Sequence, residues 1–187
     1  MDKTAREWYN VKRKYVGWGT FMRLLVLSDS HRKRSNVVRA LESAGHYDAL
    51  IFLGDGLDDI YGCDTDGAPL YCVEGNCDSF GFGFACDSAP DELLLTLRGK
   101  RIFMTHGHRY GVKGGLDSII YAAAQQDADI LLFGHTHGAY EAYLTPDIIP
   151  CLNKPLYVLN PGSIGVGEWG CVDITCRGEI MLSHGSL

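Results

Sequence analysis

The chain has 187 residues, 46% of them hydrophobic and 21% charged, and its 17 Lys and Arg against 23 Asp and Glu give a formal charge of -6. Such values describe one soluble globular domain whose core needs no disulfide or metal staple. They argue against an electrostatic grip on nucleic acid over the whole surface. A small phosphate-bearing substrate stays open, because a bound metal inverts the local sign.

No apolar run approaches the roughly 18–20 residues of a membrane span. The seven cysteines, at positions 63, 72, 77, 86, 151, 171 and 176, include no Cys-x-x-Cys pair. Reduced thiols in a cytoplasmic protein are the expected reading, with a zinc site on Cys171 and Cys176 as the alternative. Residues 1–21, "MDKTAREWYNVKRKYVGWGTF", are basic and aromatic and lack the apolar stretch of a signal peptide. They read as an N-terminal extension, either poorly ordered or the product of a start site placed too early, and the compact domain is expected to run from Met22 to Leu187.

From Met22 onward short apolar runs alternate with helical patterns. "RLLVLS" (Arg23–Ser28) is a strand, and "SNVVRALESAG" a helix with Ser35 as N-cap and Gly45 as stop. "ALIFLGD" is a continuously apolar strand of the kind buried on both faces, and "PLYCVEGN" a third strand. "ELLLTLRGKRIFMTHG" reads as a hairpin turning at Arg98-Gly99-Lys100, followed by the helix "GGLDSIIYAAAQQD" and the strand "ADILLFG". The last third supplies "AYEAYLT", "LYVLN", "GCVDIT" and "GEIMLS", all strand-like. Strands and helices alternating early, with strands dominating late, predict an α/β layered domain of mixed sheets packed together.

A polar cluster follows nearly every apolar strand: Asp29-Ser30-His31, Gly54-Asp55, Gly75-Asn76-Cys77-Asp78, Thr105-His106-Gly107-His108 and Gly134-His135-Thr136-His137. Open α/β sheets bind ligands at the carboxyl ends of their strands, so the five loops are expected to converge. Alone, each residue has an ordinary role: Asp29 and Asp55 as caps or turn formers, Asn76 as a left-handed turn residue, a histidine as a hydrogen-bonded surface group. Together, two carboxylates, an amide and four imidazoles (His31, His106, His135, His137) exceed what one tetrahedral ion needs. They suit two borderline or hard divalent ions sharing a carboxylate. Thr136 is expected to space its two histidines along an extended segment, where alternate side chains share a face.

The order of these clusters resembles that of the calcineurin-like metallophosphoesterase superfamily. The matching segments are "SDSH" (Ser28–His31), "LGD" (Leu53–Asp55), "EGNCD" (Glu74–Asp78), "THGH" (Thr105–His108) and "FGHTH" (Phe133–His137). The short length, "GNCD", "HGH" and "NPGS" (Asn160–Ser163) are similar to its small YfcE-type phosphodiesterases. The resemblance implies a sandwich of two mixed β-sheets flanked by helices. It implies Asp29, His31, Asp55 and His137 around a first metal, and Asp55, Asn76, His106 and His135 around a second, with Asp55 bridging. The implied ions are two divalent cations, manganese first, with nickel, zinc or iron as alternatives, and the implied nucleophile is a hydroxide between them.

Two departures stand out. Cys77 occupies the place where much of the superfamily has a histidine general acid, and a thiol is a weak, differently placed donor. Asp78, which would orient that histidine, is left to contact substrate or to support its loop; His108 is the nearest other group able to bind phosphate or donate a proton. Arg32, where the family usually has glycine, begins a run with Lys33 and Arg34 that reads either as an anion-binding rim or as a solvated loop. Asn36 is a further candidate near the site. The function expected is phosphodiester hydrolysis on a small phosphoester, without nucleic-acid or membrane partners, in a homodimer or higher homo-oligomer. The alternative is a non-catalytic scaffold on the same fold, like the retromer subunit.

Overall fold

The computed structural model describes residues 21–78 and 89–187; residues 1–20 and Cys86 lie outside the described residues. Ten strands form two five-stranded sheets. The first has the order β10-β9-β1-β2-β3, built from β1 (Phe21–Leu27), β2 (Ala49–Phe52), β3 (Leu70–Cys72), β9 (Glu168–Thr175) and β10 (Ile180–Ser186). The second has the order β4-β5-β6-β8-β7, from β4 (Glu92–Leu97), β5 (Lys100–Thr105), β6 (Ile130–Leu132), β7 (Ala139–Leu144) and β8 (Leu156–Pro161). Both are mixed: β1, β2 and β3 run parallel, as do β5, β6 and β8, while β9, β10, β4 and β7 pair antiparallel. The expected two-sheet sandwich is the observed fold.

The apolar runs of the central strands follow from burial on both faces. In β1, Leu24 and Val26 point into the layer between the sheets, where they meet Ile51, Ile102, Met104, Ile130 and Leu159. Leu25 and Leu27 point the other way, onto Val37 and Ala40 of α1 (Arg34–Ser43). The second sheet repeats the scheme, with Phe103, Leu131 and Val158 packed outward against Ile119, Ile120 and Ala123 of α3 (Asp117–Gln125). A short α2 (Leu57–Ile60) follows β2.

One local detail differs from expectation, the start of the first helix, while the hairpin turns where expected. Helix α1 begins at Arg34, and its cap residue is Lys33, whose side chain makes no capping bond. Ser35 is therefore inside the first turn and not the N-cap, because the Lys33 N–H closes a turn on Ser30 O (2.9 Å) and the helix starts two residues earlier than expected. The hairpin turns at Arg98 and Gly99, both with positive φ (50° and 73°), the backbone that a two-residue hairpin loop requires.

Candidate metal centre

The strand-end loops converge from both sheets. Asp29 and Asp55 follow β1 and β2; His106 and His135 follow β5 and β6. Backbone bonds stitch the loops together: Asp29 N–H to Gly54 O (2.9 Å), His31 N–H to Asp55 O (3.1 Å) and Gly134 N–H to His106 O (3.1 Å). The approach is too close for a side chain at Gly134, where a Cβ would lie 2.0 Å from Ser28 Oγ, or at Gly75, where it would lie 2.2 Å from Asp55 Oδ1.

Nine described non-glycine residues have positive φ, and five of them are candidate ligands: Asp29 (57°), His31 (46°), Asp55 (58°), His135 (67°) and His137 (62°). Left-handed backbone costs an ordinary residue about 1 kcal/mol or more, and it persists where surrounding structure enforces it. This corrects the expectation of an extended His135–His137 segment. Thr136 N–H folds back onto Gly134 O (2.8 Å), so the two rings diverge from a turn.

They diverge towards different partners. His137 joins Asp29 and His31, while His135 joins Asp55 and His106; the donor atoms within each trio lie within 4.8 Å of one another. A third trio, His31, Asp55 and Cys77, lies between them. His137 Nε2 is 3.1 Å from Asp29 Oδ1 and 3.0 Å from His31 Nε2. His106 Nε2 is 3.1 Å from His135 Nδ1 and 3.4 Å from Asp55 Oδ2.

This donor set fits a cation. His106 Nδ1 donates to the carbonyl of Leu53 (2.7 Å), so in the neutral ring Nε2 is a lone pair aimed at a carboxylate and a second imidazole. Asp29 Oδ2 accepts from Ser28 Oγ and from His135 N–H (3.0 Å), but the buried Oδ1 has no hydrogen-bond partner among the described residues. It faces His31, His106 and His137 at 3.7, 4.0 and 3.1 Å. Converging acceptors with no donor between them are unfavourable until a cation or protons intervene.

The electrostatics point the same way. Burial would raise Asp55, but the His106 contact and the Cys77 N–H outweigh it and hold the carboxyl well below the usual range. Burial, with His106 and Lys113 as neighbouring cations, pushes His135 down to about 4, leaving it neutral and able to ligate at neutral pH. The Cys77 thiol is pushed up to about 11, by burial and then by Asp55. Burial, His106 and Arg109 together lower His108.

The remaining candidates separate. Asn76 is exposed and its Nδ2 donates to Cys77 Sγ (3.2 Å), which leaves the amide oxygen for a cation. The His108 ring lies 5.4 Å from that of His106 and 6.2 Å from that of His135, and its buried Nδ1 has no hydrogen-bond partner among the described residues. Asp78 is occupied by the backbone: its two oxygens accept four N–H groups, from Asp55, Gly56, Leu57 and Gly75, at 2.7–3.0 Å. Of the two roles open to it, support of the loop is the one its bonds fill.

Arg34 is likewise committed, to the carbonyls of Asp58, Asp59 and Tyr61, so it does not belong to an anion-binding rim. Arg32 and Lys33 are exposed, with no ion pair to a described residue. Asn36 does not reach the site; its amide donates to Ile164 O and Gly165 O. Cys171 is buried in the layer under α1 and Cys176 is exposed, and neither joins a ligand group among the described residues.

Several supports escaped the sequence reading. Ser163 Oγ donates to Asp29 O (2.8 Å), and Ser30 Oγ donates to the buried Asp59 carboxylate (2.5 Å). Asn160 Nδ2 donates to Gly134 O (2.9 Å) and Thr136 Oγ1 (3.0 Å). The motif "NPGS" was a visible signal for two of these three residues, although it does not say what they hold.

Comparison with known proteins agrees with this geometry. Over 144 residues the chain is 34% identical to the probable metallophosphoesterase YsnB of Bacillus subtilis, covering 76% of this chain and 75% of that one. It is 28% identical over 98 residues to the phosphodiesterase YfcE of Escherichia coli K12, 46% of this chain and 44% of that one. Vacuolar protein sorting 29 from Cryptosporidium parvum shares the fold at a TM-score of 0.61 and 17% identity, over 90% of this chain and all of that one (100%). Residues 22–175 match the model of the calcineurin-like phosphoesterase superfamily domain, and the chain belongs to that superfamily.

Proposed function

We propose that the protein is a phosphodiesterase that works with two divalent cations, one held by Asp29, His31, Asp55 and His137, the other by Asp55, Asn76, His106 and His135. The placement of Asp55 carries this reading. Its Oδ2 lies 3.9 Å from His31 Nε2 and 3.4 Å from His106 Nε2, so one carboxylate faces both histidine groups. Cations held by these residues would supply polarisation of phosphoryl oxygens and a lowered pKa for bound water.

The chain's own residues supply position and proton handling. The loop bonds of Asp29, Asp55 and His106 fix the donors before a cation arrives, which reduces the reorganisation on binding. His108, kept neutral beside His106, offers its ring to a phosphoryl oxygen or receives a proton. Cys77 keeps its proton at about 11 and is a feeble general acid near neutrality, so esters with good leaving groups are favoured.

The carboxylate, amide and imidazole donors suit manganese, with nickel, zinc and iron as competitors. The name of the YfcE relative supports a diester substrate. Among the described residues no helix is long and apolar enough to cross a membrane, and all six described cysteines are free, which supports a cytoplasmic setting.

Likeness to Vps29 does not separate catalysis from a scaffold, since both use this fold. The filled donor set favours catalysis. Asp55→Ala should abolish Mn²⁺-dependent hydrolysis of a chromogenic phosphodiester while the protein stays folded by circular dichroism. Undiminished hydrolysis by that variant would exclude the two-cation reading.

A further inference from the structure

The turn that carries His135 and His137 feeds both ligand groups, yet both residues sit in left-handed backbone that histidine does not prefer. Something outside the turn holds it. His135 N–H reaches Asp29 Oδ2, but that bond holds one end and depends on a proposed ligand. A tether outside the ligand set is Asn160 at the end of β8, whose fully buried amide donates to Gly134 O (2.9 Å) and Thr136 Oγ1 (3.0 Å), on either side of His135. Its Oδ1 accepts from Gly162 N–H (3.0 Å), so both donors and the oxygen are engaged and the amide has one orientation.

Asn160 is itself gripped from the other sheet. His184, on β10, contributes Nε2 to the carbonyl of Asn160 at 2.9 Å. A carbonyl only accepts, so Nε2 carries the proton. On the far side of the ring, Glu141 Oε2 of β7 lies 3.6 Å from His184 Nδ1, beyond hydrogen-bond reach. Strand β10 edges the first sheet and β7 edges the second. The imidazole therefore reaches from the first sheet to the second, onto the backbone of the asparagine that holds the ligand turn.

We propose that His184, acting through Asn160, is a positioning residue that sets the His135–His137 turn and thereby the affinity of both cation sites. It touches no ligand atom. Its effect is on where Gly134 O and Thr136 are held, and so on where the two rings point. The inference rests on the two-cation reading above.

The test uses the full chain stripped of metal, with Mn²⁺ added back and followed by calorimetry and by the electron paramagnetic resonance signature of a coupled Mn²⁺ pair. His184→Ala should weaken Mn²⁺ binding about 10-fold, the lower end for loss of a group that orients ligands, and broaden or abolish the pair signal. The metal-free variant should keep its secondary structure. His184→Gln, whose amide can still donate to Asn160 O, should recover most of the affinity. If His184→Ala fails to fold, His184→Gln against His184→Met decides, since the two match in length and only glutamine donates. Parental affinity and an unchanged signal in Ala, or equal affinities for Gln and Met, would overturn the proposal. Should the parent protein itself bind fewer than two Mn²⁺, the two-cation reading fails instead.

Discussion

Asp78 holds Asp55 by its backbone: one carboxylate oxygen of Asp78 accepts the Asp55 N–H at 2.8 Å and the Gly75 N–H at 2.8 Å, while the other accepts from Gly56 and Leu57. This one carboxylate therefore joins the loop after β3 to the loop after β2. Asp78→Ala would strand four N–H groups, and an unmet buried donor costs about 1–3 kcal/mol. The expected loss is about 2–3 kcal/mol in urea unfolding of the metal-free protein, with weaker Mn²⁺ binding because Asp55 drifts. A variant with parental stability and a selective rise in KM would instead make Asp78 a substrate contact.

Cys77 stands where a proton donor is expected, but its thiol, pushed up to about 11 by burial and by Asp55, is a poor acid at neutral pH. On a chromogenic diester, whose leaving group needs no protonation, Cys77→Ser should change kcat by less than about 3-fold. Cys77→His should extend activity to esters of alkyl alcohols, since an imidazolium donates a proton far more readily. A large fall in kcat for Cys77→Ser, with a shift of the alkaline limb of the pH profile, would show that the thiol does serve as the acid.

The clusters and the strands before them were legible because each obeys a local rule: an apolar run buried on both faces, then residues able to bind at its carboxyl end. Leu24 to Leu27 and Ile130 to Leu132 are of this kind. The turn at His135 and His137 was not legible. Alternation would extend it, and its left-handed backbone is imposed by Asn160, distant in sequence. The same holds for Asp78 and Arg34, whose roles depend on backbone groups brought near by folding. A charged residue beside a site reads as functional until its partners are seen.

The three cations after His31 can be told apart. Arg34 donates to three carbonyls at the end of α2, at 2.8–3.2 Å, so Arg34→Ala should destabilise the fold by about 1–2 kcal/mol and leave KM for a small diester near parental. Arg32 and Lys33 are exposed, and their joint replacement by alanine should leave the melting temperature unchanged. If they form an anion-binding rim, that double variant raises KM about 3–10-fold at low salt and the difference fades as salt is added. A KM equal to the parental value at low salt would assign both to the solvated surface.

The pH dependence of metal binding follows from His106. Burial lowers its pKa, but Asp55 and Asp29 overcome this and raise it above 6.5. A proton and a cation compete for the same Nε2, so Mn²⁺ affinity should climb as pH rises through the His106 pKa, with a proton released on binding. The rise belongs above about pH 6.5; His135, pushed down to about 4, has lost its proton well before and adds nothing there. In the metal-free protein the sign reverses: a raised folded pKa contributes stability that is full below the unfolded value and is lost as pH rises through the folded one. Chelation should therefore cost the protein most on the alkaline side, where neither proton nor cation bridges the acceptors. Calorimetric titration of Mn²⁺ from about pH 5 to about pH 8.5, in buffers of different ionisation enthalpy, reads both affinity and proton release. An affinity that stays flat between about pH 6 and 8 would remove His106 from the ligand set.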